Sequence, residues 1–256
     1  MNEITDIYDR LGENYLTSMY TASKWTQYVD KTEQDFVLRA WGLARKSTNQ
    51  HERILDIGVG PGRWAELFCR QGFQSVYGVD ISPEMARVAK RRVDNPSFKA
   101  IVGDAENLPF ADNSFDRVFC WRSFKYIPHP QLAIQEMRRV LKPGGTALIE
   151  VTNASLYNRI LQGIARLTAR FPINISIHSR WHYFAKTNFY TKRAIENFMA
   201  NQGLTIIKTY YLFSLPSIPL PAGYRFLKFA DRVISKFLPR ALFARSWIII
   251  MARPEK

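Results

Sequence analysis

Short apolar runs alternate with amphipathic stretches through the middle of the chain. Runs near 52–58, 75–80, 97–102, 115–120 and 145–152 are rich in Val, Ile, Leu and Phe and bounded by polar or turn residues, the pattern of buried strands. Between them, stretches near 62–71, 83–92 and 130–141 repeat apolar residues at helical spacing. Ser82-Pro83 opens the second of these with a capping hydroxyl and an N1 proline. Strand-helix alternation predicts an α/β fold with a parallel sheet covered on both faces. Leu204–Phe213 and Ser246–Ala252 read as two further strands, and residues 3–45 have helical character with mixed charge.

Two segments break the alternation. After the fifth strand, Leu156, Ile160, Ile164, Leu167 and Phe171 fall at helical spacing with Arg159, Arg166 and Arg170 opposite. Between the last two strands, Phe226, Phe229, Ala230, Val233, Ile234 and Phe237 face Arg225, Lys228, Arg232, Lys236 and Arg240. Both read as basic amphipathic helices. Charge follows this division: of the net +14, +13 belongs to residues 151–256, which hold only 3 of the 22 acids.

The candidate chemistry sits at the first strand. Ile54–Gly62 is an apolar run that ends on Asp56 and enters Gly58, Gly60 and Gly62, and a second run, Val76–Asp80, ends on another acid. Glycines at a strand-to-helix turn let the backbone turn tightly and lie against a ligand. An acid closing the next strand accepts hydrogen bonds from ribose hydroxyls in dinucleotide folds. The pair predicts a bound adenosine. A nicotinamide dinucleotide fingerprint reads G-x-G-x-x-G, whereas here the third glycine comes one residue early and Arg63 follows it; no G-K-[ST] follows to make a P-loop.

G-x-G-x-G preceded by an acid resembles motif I of the class I S-adenosylmethionine-dependent methyltransferases. The resemblance continues in order through Gly103–Phe110 (GDAENLPF), Phe115–Pro128 and Arg138–Glu150 (RRVLKPGGTALIE), the last similar to the ubiquinone/menaquinone-type and methyltransferase type 11-like small-molecule enzymes. It implies a Rossmann-like, doubly wound seven-stranded sheet with the last strand antiparallel and helical insertions after strands five and six. It implies S-adenosyl-L-methionine as cofactor and S-adenosyl-L-homocysteine as product. Asp56 then partners the ammonium group, directly or through water; Asp104 and Ala105 meet the adenine amino group and ring edge; Ile81 and Trp121 join Asp80 and the three glycines at the cofactor. Tyr8 and Tyr15 resemble the family's YD-x5-Y start, where an aromatic closes over the cofactor, although both could equally anchor an N-terminal helix. One domain spans 1–256, with an N-terminal helical cap (1–45), a cofactor-binding core (46–152) and lid insertions (155–190 and 214–245).

The acceptor is less legible. The lid either packs over an ordinary pocket with its arginines solvated or rests on an anionic membrane surface, admitting a lipid-soluble acceptor. Nucleic acid fits poorly, because the arginines alternate with a continuous apolar face instead of lining a polar groove. The expected acceptor is a small apolar molecule such as a quinone precursor, a lipid or a secondary metabolite; a non-catalytic adenosine-ligand-binding partner subunit, a nucleic-acid methyltransferase and an NAD-dependent oxidoreductase are the alternatives. Methyl transfer is an in-line displacement, so only an acceptor that must lose a proton needs a base. His129 and Tyr126, after the fourth strand, are the candidates, with His178 and His182 further on; the latter are four apart but lack a third ligand, so no metal is expected. Cys69 and Cys120 make no disulfide frame, and the chain has neither a signal-like run nor about 20 consecutive apolar residues. A cytoplasmic protein, peripheral to a membrane at most, is the expectation.

Overall fold

The computed structural model describes residues 5, 6, 8, 9, 12, 15, 23–43, 51–155, 158–160, 162–163, 187–212 and 246–255. In chain order the elements are α1 (Lys24–Ala40), β1 (Arg53–Ile57), α2 (Arg63–Arg70), β2 (Ser75–Asp80), α3 (Pro83–Arg92), β3 (Phe98–Val102), β4 (Phe115–Cys120), α4 (Pro130–Val140), β5 (Leu141–Thr152), α5 (Lys192–Asn201), β6 (Thr205–Leu212) and β7 (Ser246–Ala252). They build one seven-stranded sheet in the order β3-β2-β1-β4-β5-β7-β6. The pairings β1–β2, β1–β4, β2–β3 and β4–β5 are parallel, and β7 runs antiparallel to both β5 and β6. This is the Rossmann-like sheet with a reversed last strand that the motif order implies.

Period-two alternation divides the core between two faces. Leu55, Ile57, Val118, Ile149 and Met251 point into a layer with Ile134 and Met137 of α4 and Ile195 and Met199 of α5. Their chain neighbours Ile54, Phe119, Leu148 and Ile250 point the other way, against Val37 of α1, Trp64 and Phe68 of α2 and Ala89 of α3. Strands buried on both sides need near-continuous apolar sequence, which is why these runs lack polar alternation.

The helix starts follow local chemistry. Ser23 and Thr26 form a reciprocal capping box on α1, with Thr26 N–H donating to Ser23 Oγ at 3.1 Å and Ser23 N–H to Thr26 Oγ1 at 3.0 Å. Ser82 Oγ accepts from Met85 N–H at 3.0 Å above Pro83. At α2 the N-cap is Gly62, with φ +81° and no side-chain cap.

One expectation changes. The fifth strand begins at Leu141, not 145, and the Pro143-Gly144-Gly145 turn lies within it: Phe115 pairs with Leu141 and Arg117 with Thr146, so the extra residues are absorbed as a bulge. The insertion helices lie largely outside the described residues, as do His178, Trp181, His182, Tyr183 and Phe184; of the first insertion, residues 158–160 and 162–163 are helical. Among the described residues no helix is long and apolar enough to cross a membrane.

A Cβ on Gly62 would meet Val93 Cγ2 at 2.6 Å and Ala89 Cα at 3.3 Å, in a backbone conformation that L side chains rarely adopt. Gly62→Ala should therefore destabilise the fold by about 2–4 kcal/mol, the sum of a left-handed penalty and overpacking between α2 and α3. A lowered urea midpoint with an unchanged m-value is the expected result; an unshifted midpoint would mean that α3 gives way freely.

Candidate functional site

Strand order reverses direction between β1 and β4, and a crevice forms there at the carboxyl ends of the strands. Its wall comes from four successive connections: Gly58–Pro61 after β1, Asp80 and Ile81 after β2, Gly103–Ala105 after β3, and Trp121–Ser123 with Tyr126–Pro128 after β4. Tyr8 and Tyr15 close it from the N-terminal segment.

The glycine turn is held from beneath. Gly58 N–H and Val59 N–H donate to Val79 O at 2.8 and 3.0 Å, and Gly60 N–H donates to Asp80 Oδ2 at 2.8 Å. Asp80 Oδ1 accepts from Ser82 N–H at 3.0 Å. Burial pushes the Asp80 carboxyl up to about 6, against the pull of these backbone donors. Asp56 is more extreme: 1% exposed, with no hydrogen bond to Oδ2, and raised to about 8 by burial and by the charge of Asp80, despite Arg63.

A Cβ on Gly58 would lie 2.2 Å from Ser123 Oγ, and φ is +70°. That glycine lets the turn after β1 touch the turn after β4, where Ser123 Oγ donates to Gly58 O at 3.2 Å. Over the opening, the rings of Tyr8 and Tyr15 are 5.6 Å apart and those of Tyr8 and Tyr126 are 6.0 Å apart, an edge-on aromatic cluster. Burial and the neighbouring Tyr126 raise the Tyr8 phenol well above its usual range.

Of the residues singled out in the sequence, Tyr8, Tyr15, Gly58, Gly60, Asp80, Ile81, Asp104, Ala105, Trp121 and Tyr126 line this one crevice. Asp56, Gly62 and His129 do not. Asp56 lies behind the wall and Gly62 packs against α3. His129 is exposed at the start of α4, where Nδ1 lies 2.8 Å from Glu106 Oε2.

A network with no local signature braces the site. Arg63, 6% exposed, bonds Asp30 and, at 3.1 Å, Glu33, both on α1, while Arg122 bonds the same Glu33. Arg63 and Arg122 line the crevice, and Arg122 is held at φ +60°. Acids three apart on a helix can be read from sequence; their partners cannot.

The donor set suits a cationic nucleoside. Gly60 N–H is already engaged, and the Asp80 carboxylate beneath the turn would repel a pyrophosphate. The unpartnered Asp56 oxygen and the apolar walls fit an ammonium-bearing adenosine ligand instead.

Comparison with known proteins agrees. Residues 55–149 match the family model described as "Methyltransferase domain". Demethylmenaquinone methyltransferase of Renibacterium salmoninarum is 41% identical over 98 residues, 38% of this chain and 40% of that protein. The ubiquinone/menaquinone biosynthesis C-methyltransferase UbiE of Bordetella avium is 37% identical over 117 residues, 44% of this chain and 46% of that protein. The chain thus spans less than half the length of these two relatives. In fold, it is similar to a geranyl diphosphate C-methyltransferase from Streptomyces coelicolor A3(2), solved with Mg2+, geranyl diphosphate and S-adenosyl-L-homocysteine: TM-score 0.60, 18% identity, 89% of this chain and 80% of that one. The segment 55–149 is thus a methyltransferase domain, set in a sheet with the Rossmann-like strand order.

Proposed function

We propose that this chain transfers the methyl group of S-adenosyl-L-methionine to a small apolar acceptor. The observation that carries the reading is the junction of the glycine turn with the carboxylate of Asp80, set behind a crevice that the matched segment 55–149 largely encloses. The apolar acceptor draws on the two relatives named for quinone methylation and on a structural neighbour solved with geranyl diphosphate.

When bound, the sulfonium supplies an electrophilic methyl group. In this reading Asp80 receives the ribose hydroxyls, with lone pairs left beyond its two backbone donors. Asp56, behind the wall, partners the ammonium directly or through water, Gly58 and Gly60 admit the ligand against the backbone, and Ile81, Asp104 and Ala105 flank the adenine. Tyr8, Tyr15 and Tyr126 exclude water over the reacting centre, where an in-line displacement gains from alignment and dryness. Tyr126 rather than His129 is the base candidate within reach, since His129 faces Glu106 outside the crevice. Association of the basic insertions with an anionic membrane rests on their sequence alone.

Asp80→Ala should weaken S-adenosyl-L-homocysteine binding at least thirtyfold, about 2 kcal/mol or more, because the variant loses both the ribose acceptor and the clamp on Gly60. Calorimetry on the purified chain decides it; wild-type-like affinity would refute the assigned role.

The raised Asp56 carboxyl gives a pH dependence. Its folded value, about 8, exceeds the unfolded 3.8, so the unliganded fold loses stability as pH rises from about 4 through 8. An ammonium partner favours the ionised form, so binding near pH 6.5 should release close to one proton, with affinity climbing toward pH 8. Calorimetry in phosphate and in Tris reads this directly. Heats that do not depend on the buffer, or a release that survives Asp56→Asn, would remove Asp56 from the ammonium site.

A further inference from the structure

Three buried polar groups on one face of the sheet have no partner. Trp121 Nε1, Glu150 Oε2 and Thr152 Oγ1 are all buried without a hydrogen bond, in residues 4%, 3% and 4% exposed. They are neighbours in the sheet. Cys120 of β4 pairs with Ile149 of β5, so Trp121 and Glu150 come next in register, and Thr152 follows two residues on. They also share a face: Trp121 stacks parallel to Phe119, which packs with Leu148; Glu150 pairs with Ile248 of β7, in that same layer. All three lie at the carboxyl edge, and Trp121 is itself a wall of the crevice.

Burying a hydroxyl or an indole N–H without a partner is costly and burying a carboxylate more so, so three together on the ligand side of a sheet point to a polar partner. Their chemistry is selective. Indole N–H only donates, an ionised carboxylate only accepts, and threonine does either. A hydroxyl oxygen can accept from Trp121 while its proton is donated to Glu150, with Thr152 completing the set. A hydrocarbon satisfies none of them, an ether or ketone leaves Glu150 bare, and a phosphate is repelled by it.

We infer that Trp121, Glu150 and Thr152 form the polar end of the acceptor subsite and that they take a molecule presenting a neutral hydroxyl group on an apolar body. The inference deepens the methyltransferase reading and rests on it for the identity of the neighbouring donor. Glu150 and Thr152 are not wall residues of the crevice as it stands, so the acceptor reaches them past Trp121.

The test uses the full chain saturated with S-adenosyl-L-homocysteine and two probes, 1-naphthol and 1-methoxynaphthalene, whose dissociation constants are measured by ligand-observed NMR. The naphthol should bind at least tenfold more tightly than its ether. Glu150→Gln and, independently, the near-isosteric Thr152→Val should shrink that ratio severalfold while leaving the affinities for the ether and for S-adenosyl-L-homocysteine unchanged. Equal affinity for the two probes, binding of neither, or an unaltered ratio in both variants would overturn the subsite. Loss of the donor reading shows separately: S-adenosyl-L-homocysteine then fails to bind the wild-type chain, while a naphthol preference that persists without it, and that Glu150→Gln abolishes, upholds the hydroxyl subsite.

Discussion

A carboxylate taken out of water must find donors, and Asp80 finds them in the two turns that matter most. One oxygen receives Gly60 N–H and the other Ser82 N–H, so a single buried side chain fixes the turn after β1 and the entry to α3. The capping hydroxyl of Ser82 extends the linkage to Asp9 in the N-terminal segment, which carries the tyrosines over the crevice. Remove the carboxylate and the glycine turn keeps its flexibility but loses its template. Everything else in the site is arranged around that bond: the close approach of Gly58 to Ser123, the aromatic cover and the second, unpartnered acid behind the wall.

The sheet supplies the rigidity. β1 is buried on both faces and paired on both edges, so Asp56 and the turn beyond it project from a tightly constrained strand. That constraint keeps a carboxyl in a place where burial and a like charge raise it so far. A solvated loop would relax until the group found water.

Much of this was legible in the chain itself, because the signals are local. Apolar runs closed by acids, alternating glycines and a Ser-Pro helix start each act within a few residues, and they marked the strands, the glycine turn and Asp80, while the family resemblance pointed to Tyr8, Tyr15, Ile81, Asp104, Ala105 and Trp121, which line the same crevice. What stayed hidden depends on pairs distant in sequence. Glu33 meets Arg63 across 30 residues and Arg122 across 89, and no periodicity announces either contact. Gly62 reads as part of the ligand turn, yet its missing side chain serves the packing of α2 against α3. Gly144 and Gly145 read as a turn, and pairing with β4 draws them into a bulged strand. Glu150 and Thr152 look like an unremarkable strand end until the register sets them beside Trp121.

Glu33 holds the arginine that follows the glycine turn and the arginine that follows β4, so one side chain on α1 touches the supports of both halves of the crevice. The turn after β1 and the turn after β4 thus share one tether on a helix that builds neither, so a change at that single carboxylate reaches both arginines together.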